Sequence, residues 1–142
     1  MAVNLLTALF STVGYCFLMN VPVKKILPAS IGGMLSWWLY LILKDKIASV
    51  FYLLVVVGAF TATYSEIAAK IAKTPATVFL LPGLIPLIPG GFVYYAMLGL
   101  VQNEFDVMRQ NALLAGQWAV GIAAGICVVA VARQIIQSLT NR

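Results

Sequence analysis

The distribution of charged residues constrains the fold of this chain more than any other feature. The nine basic and four acidic residues occur in short clusters, and five long segments between the clusters contain no charge. About 20 mostly apolar residues are needed for a helix to cross a bilayer. The pattern predicts five spans, at about residues 1–23, 26–43, 47–65, 75–103 and 111–132. We therefore expect residues 1–142 to form a single all-α membrane domain with five transmembrane helices.

The composition excludes a soluble protein. Hydrophobic residues make up 63% of the chain and charged residues 9%, and the mean hydropathy is +1.01. A soluble domain of this size could not cover so much apolar surface. The net charge of +5 does not indicate nucleic acid, because the basic residues lie at the ends of the predicted spans, where lipid head groups bind them. The expected environment is the lipid bilayer.

The basic residues also predict an orientation. With five spans, one side of the membrane carries six of them and the other side three. Since cytoplasmic loops are enriched in Lys and Arg, the C-terminus is expected in the cytoplasm and the N-terminus outside. If residues 75–103 formed a re-entrant hairpin instead, the count would become five against four, which hardly specifies an orientation. We therefore prefer the arrangement in which residues 75–103 cross the membrane.

Enzymatic and metal chemistry find little support in the sequence. The chain has no histidine, and its two cysteines, Cys16 and Cys127, lie in different predicted spans without the spacing of a metal site. Motifs for nucleophilic catalysis or phosphate binding are absent as well. We expect no metal, no cofactor and no catalytic residue, so the protein is not expected to be an enzyme.

The fourth predicted span contains a dense group of helix-breaking residues. Between positions 82 and 91 lie Pro82, Gly83, Pro86, Pro89, Gly90 and Gly91. Proline in a helix interior removes a hydrogen bond and clashes with the preceding turn. We expect two half-helices separated by an irregular segment at residues 82–91. Irregular backbone at membrane depth occurs only where it is buried in protein or lines a cavity, so a broken span points to a transport site.

The second half-helix would begin at Gly90 and Gly91 and expose its first amide groups inside the membrane. Free N–H groups and the positive end of the helix dipole bind anions. Because the predicted spans contain no Lys or Arg, a bound carboxylate would have to be held largely by the backbone. The alternative is a proline kink without a binding role.

Two other spans carry patterned small or polar residues. In the first, Asn4, Thr7 and Ser11 recur at intervals of three and four and share one helix face, which would either line a path or pack against another helix. In the fifth, Gly121 and Gly125 form a close-approach pair that predicts helix packing. The sequence leaves open whether the partner helix belongs to this chain.

The segment TPATVFLLPGLIPLIPGGFVYYAML resembles the signature of the threonine/serine exporter family. The similar positions are Pro75 and Ala76, Pro82 and Gly83, then Pro86, Leu87, Pro89 and Gly90, followed by Tyr94 and Tyr95. Within that family the chain is similar to the smaller, wholly membrane-embedded domain, in the form in which the two halves are separate chains. The resemblance implies export of small amino acids or dicarboxylates across the plasma membrane of a prokaryote. Tyr94 and Tyr95 would supply hydroxyl contacts near the substrate site, or one of them would only pack.

The acidic residues are expected at the ends of spans rather than near the membrane centre. Glu66 and Lys70 are spaced for a salt bridge within one helix, whereas Glu104 and Asp106 follow the broken span. No carboxylate remains near the midplane to carry a coupling proton. We expect a second membrane subunit, or another copy of this chain, to supply it, with Glu104 and Asp106 as alternatives.

These observations predict a subunit of a secondary transporter that exports small carboxylate-bearing metabolites by alternating access. Five spans is an odd number, so a homologous half would be inverted in the membrane and would place the substrate at the interface between the two halves. Two alternatives remain at this point. The chain could be a membrane scaffold or assembly subunit, or a subunit of an ion channel.

Overall fold

The computed structural model of the protein describes residues 2–140, and these residues form helices without any β-strand. The α-helices are α1 (Ala2–Leu18), α2 (Val23–Leu43), α3 (Val50–Ala72), α4 (Thr77–Leu84), α5 (Gly90–Val101) and α6 (Phe105–Thr140). A short 3-10 turn, Ile85–Leu87, follows α4 directly. The prediction of an all-helical protein is confirmed.

Three of the described helices are long and apolar enough to cross a membrane alone, namely α2, α3 and α6. The segments Thr77–Leu87 and Gly90–Val101 pass the same test together, and their axes are bent by 54°. Helix α1 has 17 residues and is about 26 Å long at 1.5 Å per residue, slightly less than the hydrocarbon thickness of about 30 Å. The protein is therefore a multi-pass membrane protein with three or four helices of membrane-spanning length.

Helices α3 and α6 pack closely through glycines. A Cβ atom built on Gly121 would lie 2.9 Å from Leu54 Cβ, and one on Gly58 would lie 2.8 Å from the carbonyl oxygen of Ile122. A Cβ on Gly125 would fall onto the Val55 carbonyl oxygen. Only residues without a side chain let two backbones approach this closely. Gly121 and Gly125 thus lie against α3 of the same chain.

The same contacts establish that α3 and α6 run parallel. Gly121 lies beside Phe51 at the start of α3, and Arg133 forms an ion pair with Glu66 near its end. The residue numbers rise together along both helices. The chain between them must consequently travel back from the end of α3 to the opposite end of the bundle before α6 begins.

Two adjacent glycines let α2 contact two different helices. A Cβ on Gly32 would lie 2.5 Å from Tyr64 Cε1 of α3, and one on Gly33 would fall onto the hydroxyl oxygen of Thr12 in α1. The Tyr64 hydroxyl donates to the Pro28 carbonyl oxygen at 2.7 Å. Neighbouring residues point about 100° apart around a helix, so each glycine receives a different partner. Helix α2 is therefore held between α1 and α3.

The buried hydroxyl groups of α2 and α3 are hydrogen-bonded within this bundle. Ser30, Ser36 and Ser65 each donate to a carbonyl oxygen one turn earlier, at 2.7 to 2.9 Å. Thr61 Oγ1 lies 2.8 Å from Ser36 Oγ and so joins α3 to α2. These bonds matter because an unpaired polar group in an apolar environment costs several kcal/mol, on the order of 2–7.

Candidate functional site

The helical segments are interrupted within residues 82–91, but over fewer residues than the sequence indicated. Helix α4 continues through Pro82 and Gly83 to Leu84, and only Ile88 and Pro89 lie outside helical segments before α5 begins at Gly90. The expected irregular segment 82–91 was therefore too long. Pro86 occupies one of the first positions of the 3-10 turn, where its missing N–H is not needed, and Pro89 directly precedes α5. These prolines are compatible with short helical pieces.

The position of the break along the bundle follows from its contacts. Leu87, at the end of the 3-10 turn, is fully buried in one cluster with Leu53 and Val57 of α3. Leu53 precedes Glu66 by 13 residues, so the break lies roughly 20 Å along α3 from the Glu66–Arg133 pair. If that pair marks one boundary of a hydrocarbon layer about 30 Å thick, the break lies at about two thirds of its depth.

The first turn of α5 presents fewer free amides than the sequence predicted. The Gly90 N–H donates to the Ile88 carbonyl oxygen at 2.8 Å, while the helix geometry leaves the amides of Gly91 and Phe92 without intrahelical acceptors. Both glycines are exposed, and a Cβ on either would meet no atom within 4 Å. The approach to these amides is open.

A cavity of about 220 Å³ lies between α1, α2 and the break. Its lining residues are Asn4, Thr7, Ala8, Ser11, Trp37 and Pro86. The structure thus brings together the polar face of α1 and one proline of the broken segment, which are far apart in sequence. No charged residue lines the cavity.

The polar groups of this cavity are partly engaged. The hydroxyl groups of Thr7 and Ser11 each donate to a carbonyl oxygen of α1 at 2.9 Å, so their oxygen atoms remain as acceptors. Within residues 2–140 the side-chain amide of Asn4 has no hydrogen-bond partner, and Asn4 is exposed. The cavity therefore offers an uncommitted amide that can both donate and accept hydrogen bonds.

Several of the predicted site residues lie elsewhere. Pro82 and Gly83 are buried, with a Cβ on Gly83 3.0 Å from Thr61 Cγ2, so they pack against the bundle. Tyr94 and Tyr95 are 61% and 54% exposed, and their rings contact each other with centroids 5.4 Å apart. Neither tyrosine lines the cavity at the break.

Glu104 and Asp106, the alternative coupling acids, lie in and just after the turn between α5 and α6. Both are exposed, and neither lines the cavity at the break. In the described part of the chain, no group of three or more His, Cys, Asp or Glu side chains is arranged to hold a metal ion.

A chain of aromatic side chains that the sequence pattern had not indicated begins at the cavity wall. The Trp37 ring stacks on Tyr40 at 5.0 Å, Tyr40 contacts Trp118 of α6 at 5.3 Å, and Trp118 contacts Phe92 of α5 at 5.5 Å. These contacts link the cavity to the first turn of α5. The spacing of Trp37 and Tyr40 by three residues was the available signal, because such residues share one helix face.

The sequence is similar to one known protein family. The sequence matches the threonine/serine exporter family, ThrE, over residues 4–132. The matched region includes the cavity residues, the break and the glycines between α3 and α6. No curated protein and no solved structure matches the chain significantly. Since the match covers most of its length, the chain belongs to the threonine/serine exporter family.

Proposed function

We propose that the protein is one subunit of a secondary transporter that exports small carboxylate-bearing metabolites, either threonine and serine or a dicarboxylate, across the plasma membrane of a prokaryote. The observation that carries this proposal is the cavity at the break, which is lined by Asn4, Thr7, Ser11 and Pro86. Polar groups beside a broken helix at membrane depth are the usual setting of a transport site. Family membership supports the same class of function.

In this proposal Thr77–Val101 crosses the membrane as one broken span. Two observations support a crossing over a re-entrant loop. A bend of 54° leaves both halves advancing in the same general direction, whereas a re-entrant loop reverses it. The parallel arrangement of α3 and α6 also requires a return passage between them. With α1 included, the chain then has five spans, its N-terminus outside and its C-terminus in the cytoplasm.

The substrate carboxylate would be bound by neutral groups. The free amides of Gly91 and Phe92 mark the positive end of the α5 dipole, and the Asn4 side chain supplies a further donor. A volume of about 220 Å³ is below the roughly 300–1,000 Å³ of ordinary ligand sites. We therefore propose that a second membrane subunit, or another copy of this chain, completes the site and contributes the coupling acid.

Alternating access would use the joint at Ile88 and Pro89. Among the described elements, α5 packs only against α6, while α4 and the 3-10 turn pack against α1, α2 and α3. Helix α5 is thus attached to the rest of the bundle through α6 alone, so it could swing about the joint without breaking the contacts of α4. The contact between Phe92 and Trp118 would carry such a movement to α6.

The test is replacement of Gly91 by valine. Because a Cβ there meets nothing within 4 Å, the variant should fold and reach the membrane normally, but its side chain would obstruct the amides. We expect export of labelled threonine, serine or a dicarboxylate from preloaded cells to fall at least tenfold, with unchanged membrane abundance. Gly116→Val is the matched control, since Gly116 also has open space around it but does not line the cavity at the break.

The outcomes separate transport from a purely architectural role. Normal export by Gly91→Val would contradict the proposal that the amides of α5 bind the substrate carboxylate. Loss of abundance in Gly91→Val, with Gly116→Val unaffected, would instead favour a scaffold in which the break serves packing. An increase in ionic conductance of bilayers containing the wild-type chain, without metabolite export, would favour a channel subunit.

A further inference from the structure

A second cavity, of about 420 Å³, lies at the other end of the bundle, where α3 ends, α4 begins and α6 passes by. It is lined by Glu66, Ala69, Lys70, Lys73, Thr74, Pro75, Ala76 and Arg133. Three cationic side chains and one carboxylate converge there, so the cavity has a net positive charge. It contains none of the residues of the break and is independent of the transport site proposed above.

The local fold explains why these groups converge. Lys73 adopts a left-handed conformation, with φ 49° and ψ 50°, and ends α3. The Thr74 N–H then bonds back to the Ala69 carbonyl oxygen at 3.1 Å, which closes the turn at the helix end. The chain reverses at once into Pro75 and α4. The end of one helix and the beginning of the next therefore share one cavity wall.

The carboxylate in the cavity, that of Glu66, already has a cationic partner. Glu66 Oε1 accepts a hydrogen bond from Arg133 Nη1 at 3.2 Å, which fixes the guanidinium beside the opening. Arginine has five N–H donors, so most of its donors remain available. Lys70 and Lys73 have no acidic partner within residues 2–140. The unbalanced charge of the cavity is that of the two lysines.

Two residues of the cavity wall also carry uncharged donors. Thr74 Oγ1 is buried and has no hydrogen-bond partner among the described residues. The Ala76 amide, at the start of α4, has no intrahelical acceptor. An anion in the cavity would accept hydrogen bonds from both groups and would remove the cost of the unpaired hydroxyl. The cationic and the neutral donors thus all favour an anionic ligand.

We propose that this cavity binds a phosphate group, carried either by the head group of an anionic lipid or by a small phosphate-containing solute. The cavity lies at the ends of the apolar segments of α3 and α6, where a bilayer crossed by these segments would place its lipid phosphates. Basic pockets between transmembrane helices bind such head groups. A tetrahedral phosphate offers several acceptor oxygens, which matches donors arriving from three helices.

The test uses the purified full chain in neutral detergent. Its melting temperature is measured during titration with short-chain phosphatidylglycerol, short-chain phosphatidylcholine and inorganic phosphate. A saturable increase with phosphatidylglycerol alone identifies a lipid head group as the ligand, and an increase with inorganic phosphate identifies a soluble one. No increase with either, or the same increase with phosphatidylcholine as with phosphatidylglycerol, overturns the proposal.

Two variants localise the binding. Each cation near an anionic surface contributes about fivefold in affinity, so Lys70→Gln/Lys73→Gln should weaken binding by about 25-fold. Lys44→Gln/Lys46→Gln removes the same charge at the opposite end of the bundle and should leave binding unchanged. Equal weakening in both double variants would contradict a defined site. If the first double variant does not fold, Glu66→Gln provides the test instead. Removing the carboxylate should tighten phosphate binding, because it removes a negative charge from the cavity. An unchanged or weaker affinity overturns the proposal.

Discussion

Arg133 Nη1 of α6 lies 3.2 Å from Glu66 Oε1 of α3, and this ion pair joins two residues that are 67 positions apart in sequence. The sequence pattern had predicted Lys70 as the partner of Glu66 within one helix. That prediction was wrong, because the parallel packing of α3 and α6 brings a guanidinium to the same place. A pattern of i, i+4 charges contains no information about a neighbouring helix.

The ion pair is expected to contribute little to stability. The Arg133 side chain is 45% exposed and that of Glu66 is 20% exposed, so solvent screens their attraction. Glu66→Gln, Arg133→Gln and the double variant should give a coupling energy below about 1 kcal/mol in thermal unfolding, and it should vanish at high salt. A coupling above about 2 kcal/mol that persists in salt would mean that the pair is effectively buried.

The glycine contacts between α3 and α6 should tolerate no side chain. A Cβ on Gly125 would fall onto the Val55 carbonyl oxygen and lie 2.7 Å from the Ala59 nitrogen, and backbone atoms cannot rotate away. We expect Gly125→Ala to lower the free energy of unfolding by about 1–3 kcal/mol. Gly116→Ala in the same helix should not destabilise, because its Cβ meets nothing within 4 Å. Similar stability of the two variants would contradict the close approach.

The hydrogen bond between Thr61 and Ser36 should make a measurable contribution to the free energy of unfolding. Thr61→Val keeps the shape of the side chain but removes the hydroxyl group that lies 2.8 Å from Ser36 Oγ. We expect a loss of about 1 kcal/mol in unfolding free energy. Ser36→Ala should cost a similar amount, and the double variant should cost less than the two losses added together, since both remove the same bond. Fully additive losses would show that the two hydroxyl groups act independently.

The broken span makes a topological prediction that labelling can check. In a background with Cys16→Ser and Cys127→Ser, single cysteines replace Lys70 at the end of α3 and Gln102 after α5. If Thr77–Val101 crosses the membrane, a membrane-impermeant thiol reagent added outside should label only Gln102→Cys. Labelling of both positions from one side would indicate a re-entrant loop. Intact cells and inverted vesicles provide the two sides of the comparison.

The sequence alone determined the helical class and the approximate position of each apolar helix. Charges mark the ends of membrane segments because burying them in lipid is costly, and this effect is local. The prolines likewise located a break close to Pro89. They could not give its length, because a short 3-10 turn accommodates Pro86 and a helix of eight residues accommodates Pro82.

Only the tertiary structure decided which residues meet. It placed Pro86 beside Asn4, Thr7 and Ser11 and left Tyr94 and Tyr95 exposed. It also packed Gly125 of α6 against α3 of the same chain. In addition, it gathered Lys70, Lys73 and Arg133 around one cavity. Periodicity fixes the face of a helix on which a residue lies, whereas the neighbour of that face depends on how all the helices pack together.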